Sequence, residues 1–98
     1  MDKIYTVDEL KTLIIPIAKK YGINKVILFG SYADGTARAT SDVDLIIDKG
    51  NLEGLIQFNS FIHDLENLLH KKIDVITTNS LKASDLSDNI KTQISLYE

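Results

Sequence analysis

The sequence predicts an α/β (α+β) domain, and three observations carry that prediction. Two stretches repeat apolar residues at helical spacing, Leu10, Leu13, Ile14, Ile17 and Tyr21 in the first and Leu55, Phe58, Ile62, Leu65 and Leu69 in the second. Three short β-branched or apolar runs, Lys25–Phe29, Val43–Asp48 and Lys72–Thr77, alternate with them and have the length of strands. Turn-forming residues stand at the junctions, at Gly22, Gly30-Ser31 and Lys49-Gly50-Asn51.

Each element has a local cause. Thr6 followed three residues on by Glu9 has the spacing of a capping box, which starts the first helix, and Gly22 is a natural stop. Pro16 interrupts that helix, and a proline there either kinks the helix or splits it near Ile15. Lys25–Phe29 reads as a buried strand, Ser31–Gly35 as a brief helical turn, Gly35–Ser41 as a loop and Val43–Asp48 as the second strand. Leu52–His70 reads as a helix laid on a sheet, and Lys72–Thr77 as the third strand. Thr78-Asn79-Ser80 reads as a turn and cap. Leu81–Ile94 reads as one or two weaker helices broken by Ser84 and Ser87, and Ser95–Tyr97 as a short edge strand.

Composition excludes several classes. Ninety-eight residues are read as one domain, 1–98, with one modest core. The net charge of −3 argues against a dedicated nucleic-acid surface, and Lys19-Lys20 and Lys71-Lys72 read as solvated helix ends. With no cysteine there is no disulfide, thiol catalysis or cysteine metal site. The longest apolar stretches are far too short to span a bilayer, and a cytoplasmic location is expected.

The segment GSYADGTARATSDVDLIID carries the chemistry. Residues i and i+2 of a strand face the same side, so Asp42 and Asp44 aim at one point. Carboxylates held that close repel each other unless a cation sits between them. Hard cations such as Mg²⁺ take one or two carboxylates together with substrate phosphates. The Gly30-Ser31 turn offers backbone N–H groups and a hydroxyl where phosphates can rest. This combination points to a nucleoside triphosphate. The plainer reading is a turn followed by a strand with ordinary capping chemistry. Asp74 is an ionisable residue within the apolar run Ile73–Ile76. It reads either as a solvent-facing strand residue or as a third carboxylate, provided the third strand lies beside the second. Asp48 lies ~13 Å beyond Asp44 along an extended strand and reads as a strand-end polar group. His63 and His70 read as solvated helix histidines. Of the four tyrosines, Tyr32 directly follows Ser31 and is the one placed to border a nucleotide.

The residues Gly30, Ser31, Asp42 and Asp44, with Asp74 in KKIDVIT and the closing SLYE, resemble the minimal nucleotidyltransferases (MNT domains) of the DNA polymerase β-like superfamily, the antitoxins of HEPN/MNT toxin–antitoxin pairs among them. The resemblance spans roughly residues 23–98. It implies the minimal polymerase β-like nucleotidyltransferase fold, a small mixed sheet flanked by helices. It also implies a metal-dependent enzyme, with Asp42 and Asp44 bridging two Mg²⁺ ions and Asp74 completing the site as ligand and possible base. Gly30 and Ser31 then hold the triphosphate of ATP, and Arg38 offsets its charge. One departure stands out: Asp34 occupies a position where many members carry a basic residue. The implied activity is protein adenylyltransfer, AMPylation of a tyrosine hydroxyl on a helical HEPN-type toxin, with this chain as antitoxin. Two other functions fit the same residues: a catalytically silent MNT module that neutralises its partner by contact, and a small-molecule nucleotidyltransferase subunit.

Overall fold

The computed structural model describes residues 3–78 and 92–98. The elements run α1 (Val7–Lys20), β1 (Lys25–Phe29), α2 (Ser31–Asp34), β2 (Val43–Asp48), α3 (Gly54–Leu69), β3 (Ile73–Thr77) and β4 (Ile94–Tyr97). Among the described residues four strands form one sheet in the order β3-β2-β1-β4. β1 pairs antiparallel with both β2 and β4, whereas β2 and β3 are parallel. Parallel neighbours need a crossover, and α3 supplies it.

The sequence reading of the capping box holds in detail. The Glu9 N–H donates to Thr6 Oγ1 at 3.1 Å, and the Thr6 N–H donates to Glu9 Oε1 at 3.0 Å. Pro16 lies inside α1 without splitting it. Its ring is solvent-exposed, as is Thr12, whose carbonyl loses the usual helical donor, so water can satisfy the group that proline leaves open.

Alternation along the strands divides the sheet into two faces. Val26, Leu28, Val43, Leu45, Ile47, Ile73 and Leu96 belong to the core, together with Leu10, Ile14 and Ala18 of α1 and Phe61, Leu65 and Leu69 of α3. Tyr21 meets Phe61 edge to face at 5.8 Å between ring centres, and its hydroxyl donates to Asp64 at 2.6 Å. The other face of the sheet carries Asp44, Ile46 and Asp48 on β2 and Asp74 and Ile76 on β3.

Three expectations are corrected here. The buried stripe of α3 runs through Phe61, Leu65 and Leu69. Leu55, expected on it, is 78% exposed, because the helix begins only at Gly54 and its first turn lies outside the core. Tyr32 is 5% exposed and part of the core rather than free to border a ligand. The edge strand is one residue longer than expected and starts at Ile94. The turn at Asn79-Ser80 and most of the Leu81–Ile94 stretch expected to be helical lie outside the described residues, and its described end, residues 92–94, is not helical, with Ile94 opening β4. Among the described residues, no helix is long and apolar enough to cross a membrane.

Candidate active site

β1 ends at Phe29, opposite Asp44 on β2. The next residue, Gly30, turns the chain sharply into α2 with φ 73° and ψ −153°, a region that only glycine adopts readily. The Ala33 and Asp34 N–H groups close on the Gly30 carbonyl at 3.0 and 3.1 Å. A Cβ at Gly30 would collide with Asp44 Oδ2. The glycine backbone therefore lies directly against the carboxylate, and Ser31 opens the short helix beside it.

On its other side, Asp44 faces Asp74. The parallel register pairs Val43 with Ile73, Asp44 with Asp74 and Leu45 with Val75. Two carboxyls thus stand side by side on the sheet face away from α1 and α3. Asp42 lies two residues before Asp44, just outside the strand. The cost of this crowding appears at Asp44, whose carboxyl is pushed from its ordinary 3.8 up to about 6. Burial is the largest cause, followed by the charge of Asp74, a hydrogen bond with Asp74 that favours the protonated form, and the charge of Asp42.

The donor set is all oxygen, which suits a hard cation. Among the described residues no three acid or histidine side chains form a ready-made metal cage. Asp42, Asp44 and Asp74 are therefore not gathered into a preformed three-ligand set, and one or two of them would have to serve Mg²⁺, which is commonly held by one or two carboxylates and completes its shell with water and substrate phosphates.

The remaining candidates fall at different distances from this centre. Asp48 accepts from the Gly50 N–H at 3.2 Å and is a strand-end polar group, as expected. Asp34 accepts from the Thr36 backbone and hydroxyl, so the departure from the family pattern serves a turn. Arg38 is exposed, and its N–H donates to Ser41 Oγ at 2.8 Å within the loop that leads to Asp42. His63 is exposed on α3 next to Asn67.

Lys71 and Lys72 were not legible as site residues. Lys71 Nζ donates to the Ala39 carbonyl at 2.6 Å and ties the α3–β3 turn to the loop before Asp42. Lys72 Nζ stands 4.0 Å from Asp74 Oδ1. His70 takes a left-handed conformation, φ 56° and ψ 40°, to end α3 beside them. With Ala39, Thr40, Ser41 and Asp42, these residues line a cavity of about 280 Å³. Larger hollows, 410 and 520 Å³, lie over α1 and between α1 and α3, and neither touches Asp42, Asp44 or Asp74.

A glycine turn packed on a carboxylate, with a second carboxylate across a parallel strand pair, is an arrangement that suits phosphoryl- or nucleotidyl-transfer chemistry. Residues 12–98 match the polymerase beta nucleotidyltransferase family, and the chain belongs to that family. A Methanocaldococcus jannaschii protein, provisionally named a protein adenylyltransferase, is 37% identical over 75 residues, 76% of this chain and 81% of its own. Among solved structures, a toxin–antitoxin complex with AMP-PNP contains a chain that superposes with a TM-score of 0.74 at 20% identity, covering 89% of this chain and 72% of that one. A complex of tri-AMPylated Shewanella oneidensis HEPN toxin with MNT antitoxin matches with a TM-score of 0.69 at 16% identity, covering 94% and 72%. At these identities the two structures bear on the fold, and the minimal nucleotidyltransferase fold expected from the motif is the one observed.

Proposed function

We propose that this chain transfers AMP from ATP to a tyrosine hydroxyl of a HEPN-type partner and thereby acts as its antitoxin. The observation that carries the reading is the register of Asp44 opposite Asp74, with the Gly30 backbone against Asp44. Support for the donor and the acceptor comes from what the relatives are called: an adenylyltransferase, an antitoxin complex with AMP-PNP, and an AMPylated HEPN toxin.

In this reading Asp42, Asp44 and Asp74 would hold Mg²⁺. When bound, the metal would supply charge neutralisation for the triphosphate and lower the proton affinity of the acceptor hydroxyl. Gly30 lets the backbone approach the β- and γ-phosphates, Ser31 donates a hydrogen bond to them, and Arg38 balances their charge from the loop. The acceptor oxygen forms a bond to the α-phosphorus while the bond from that phosphorus to the pyrophosphate oxygen breaks. The hydroxyl proton passes to Asp74 or to water, and the electron pair of the broken bond leaves with pyrophosphate. Asp34 is engaged by Thr36, so in this reading Arg38 is left as the positive group on this loop.

The test is to incubate the purified chain with ATP labelled at the α-phosphate, Mg²⁺ and a HEPN-type helical protein, sought first in the neighbouring reading frame. Label on a tyrosine of that protein, lost in Asp42→Asn and Asp44→Asn, is the expected result. No label transfer with the native chain would overturn this reading and leave the non-catalytic binding module and the small-molecule nucleotidyltransferase subunit.

A further inference from the structure

The sheet end that carries Asp44 has two unlike flanks. On the β1 flank, the Gly30 backbone closes on the carboxylate. On the β3 flank lies the cavity lined by Ser41, Asp42, His70, Lys71 and Lys72. Its volume, about 280 Å³, falls just below the range for small-ligand sites, about 300–1,000 Å³. It suits one side chain and its immediate neighbours better than a nucleotide.

The charge of this cavity runs against that of the molecule. The chain as a whole carries −3, yet the cavity is lined by two lysines against one aspartate. Lys71 is held in place by the Ala39 carbonyl. The Lys72 side chain is 68% exposed and contacts Asp74 only at 4.0 Å, which leaves its ammonium able to meet an incoming group. Lys72 is two residues before Asp74, immediately ahead of β3, and Asp42 lines the same cavity, so a segment docked there lies beside that carboxylate.

We propose that this cavity admits the acceptor, and that Lys71 and Lys72 select a hydroxyl-bearing peptide segment flanked by acidic side chains. The inference rests on the AMP-transfer reading above and adds the side of entry and the chemistry of the acceptor. The lysines act on recognition and take no part in the transfer itself.

Two tyrosine pentapeptides test it, one flanked by glutamates and one by lysines. Each is titrated at low salt into the chain saturated with AMP-PNP and Mg²⁺, and binding is followed by backbone amide NMR shifts. The glutamate peptide is expected to shift Ser41, Asp42 and Lys72 and to bind at least about fivefold tighter than the lysine peptide, the scale of a few exposed ion pairs. Lys72→Gln should cut that preference to about twofold, with an unchanged melting temperature and AMP-PNP affinity within about twofold. Equal binding of the two peptides, no binding of either, or shifts confined to another face would overturn the proposal. So would a Lys72→Gln variant that loses AMP-PNP affinity as strongly as peptide affinity, since the lysines would then serve the triphosphate. Peptide binding as expected with no AMP transfer to any acceptor would sink the transfer reading and leave the cavity's selectivity standing. Transfer with equal use of both peptides would sink the cavity's selectivity alone.

Discussion

Replacing Asp44 with Asn should stabilise the protein when no divalent cation is present. Asp44 pairs with Asp74 across β2 and β3, and its carboxyl is raised from 3.8 to about 6 by burial and by its acidic neighbours. An acid that holds its proton more tightly folded than unfolded favours the fold in acid. Stability is therefore lost as pH rises from 3.8 to about 6, and the full penalty is in place above that. The gap corresponds to about 3 kcal/mol if none of it is screened. Solvent reaching the partly exposed carboxylate reduces this to about 1–2 kcal/mol. At pH 8 in EDTA, Asp44→Asn should thus melt about 5–10 °C above the native chain. The difference should close as pH falls toward 4, where the native carboxyl is protonated as well. Added Mg²⁺ should raise the native melting temperature more than that of the variant, because only the native pair gains a neutralising charge. Thermal denaturation across pH, with and without Mg²⁺, reads all three effects. A native chain as stable as the variant at pH 8 in EDTA, or a difference that does not change with pH, would refute the claim that the carboxylates are crowded.

Other outcomes follow from the same geometry. Ser31→Ala should weaken ATP binding by about two- to tenfold, the worth of one hydrogen bond, while transfer at saturating ATP persists; calorimetry and steady-state rates check this. Gly30→Val should do far more harm, since its side chain collides with Asp44 and its φ of 73° is strained for valine; a folded variant with native ATP affinity would remove the phosphate role of this turn. Phe61→Ala should cost about 3–5 kcal/mol by opening a cavity in the core beside Tyr21, measured by urea denaturation, with a cost below 1 kcal/mol arguing against the described core.

The parts of this structure legible in the sequence are those fixed by local chemistry. Thr6 and Glu9 announce the start of α1, the β-branched runs announce the strands, and the Asp42–Asp44 spacing announces a shared face. Asp74 was visible as an ionisable residue in an apolar strand, but its register opposite Asp44 depends on how α3 returns the chain, which no local pattern encodes. The same crossover brings His70, Lys71 and Lys72 back beside Asp42, so residues that read as a solvated helix end line a cavity at the site. The helical stripe misassigned Leu55 because periodicity gives a direction around a helix and not the point where the helix enters the core. Pro16 illustrates the converse: its local rule allowed a kink or a split near Ile15, and at an exposed position the helix continues through it.

The most direct measurement is the intact mass of the helical partner after co-expression with the native chain and with Asp74→Asn. Asp74 stands in the carboxylate pair and away from the apolar core, so the variant should still fold and still bind the partner. The account predicts one or more AMP-sized mass increases on the partner with the native chain and none with Asp74→Asn, although both co-purify with it. An unmodified partner with the native chain, or equal modification with Asp74→Asn, would contradict it.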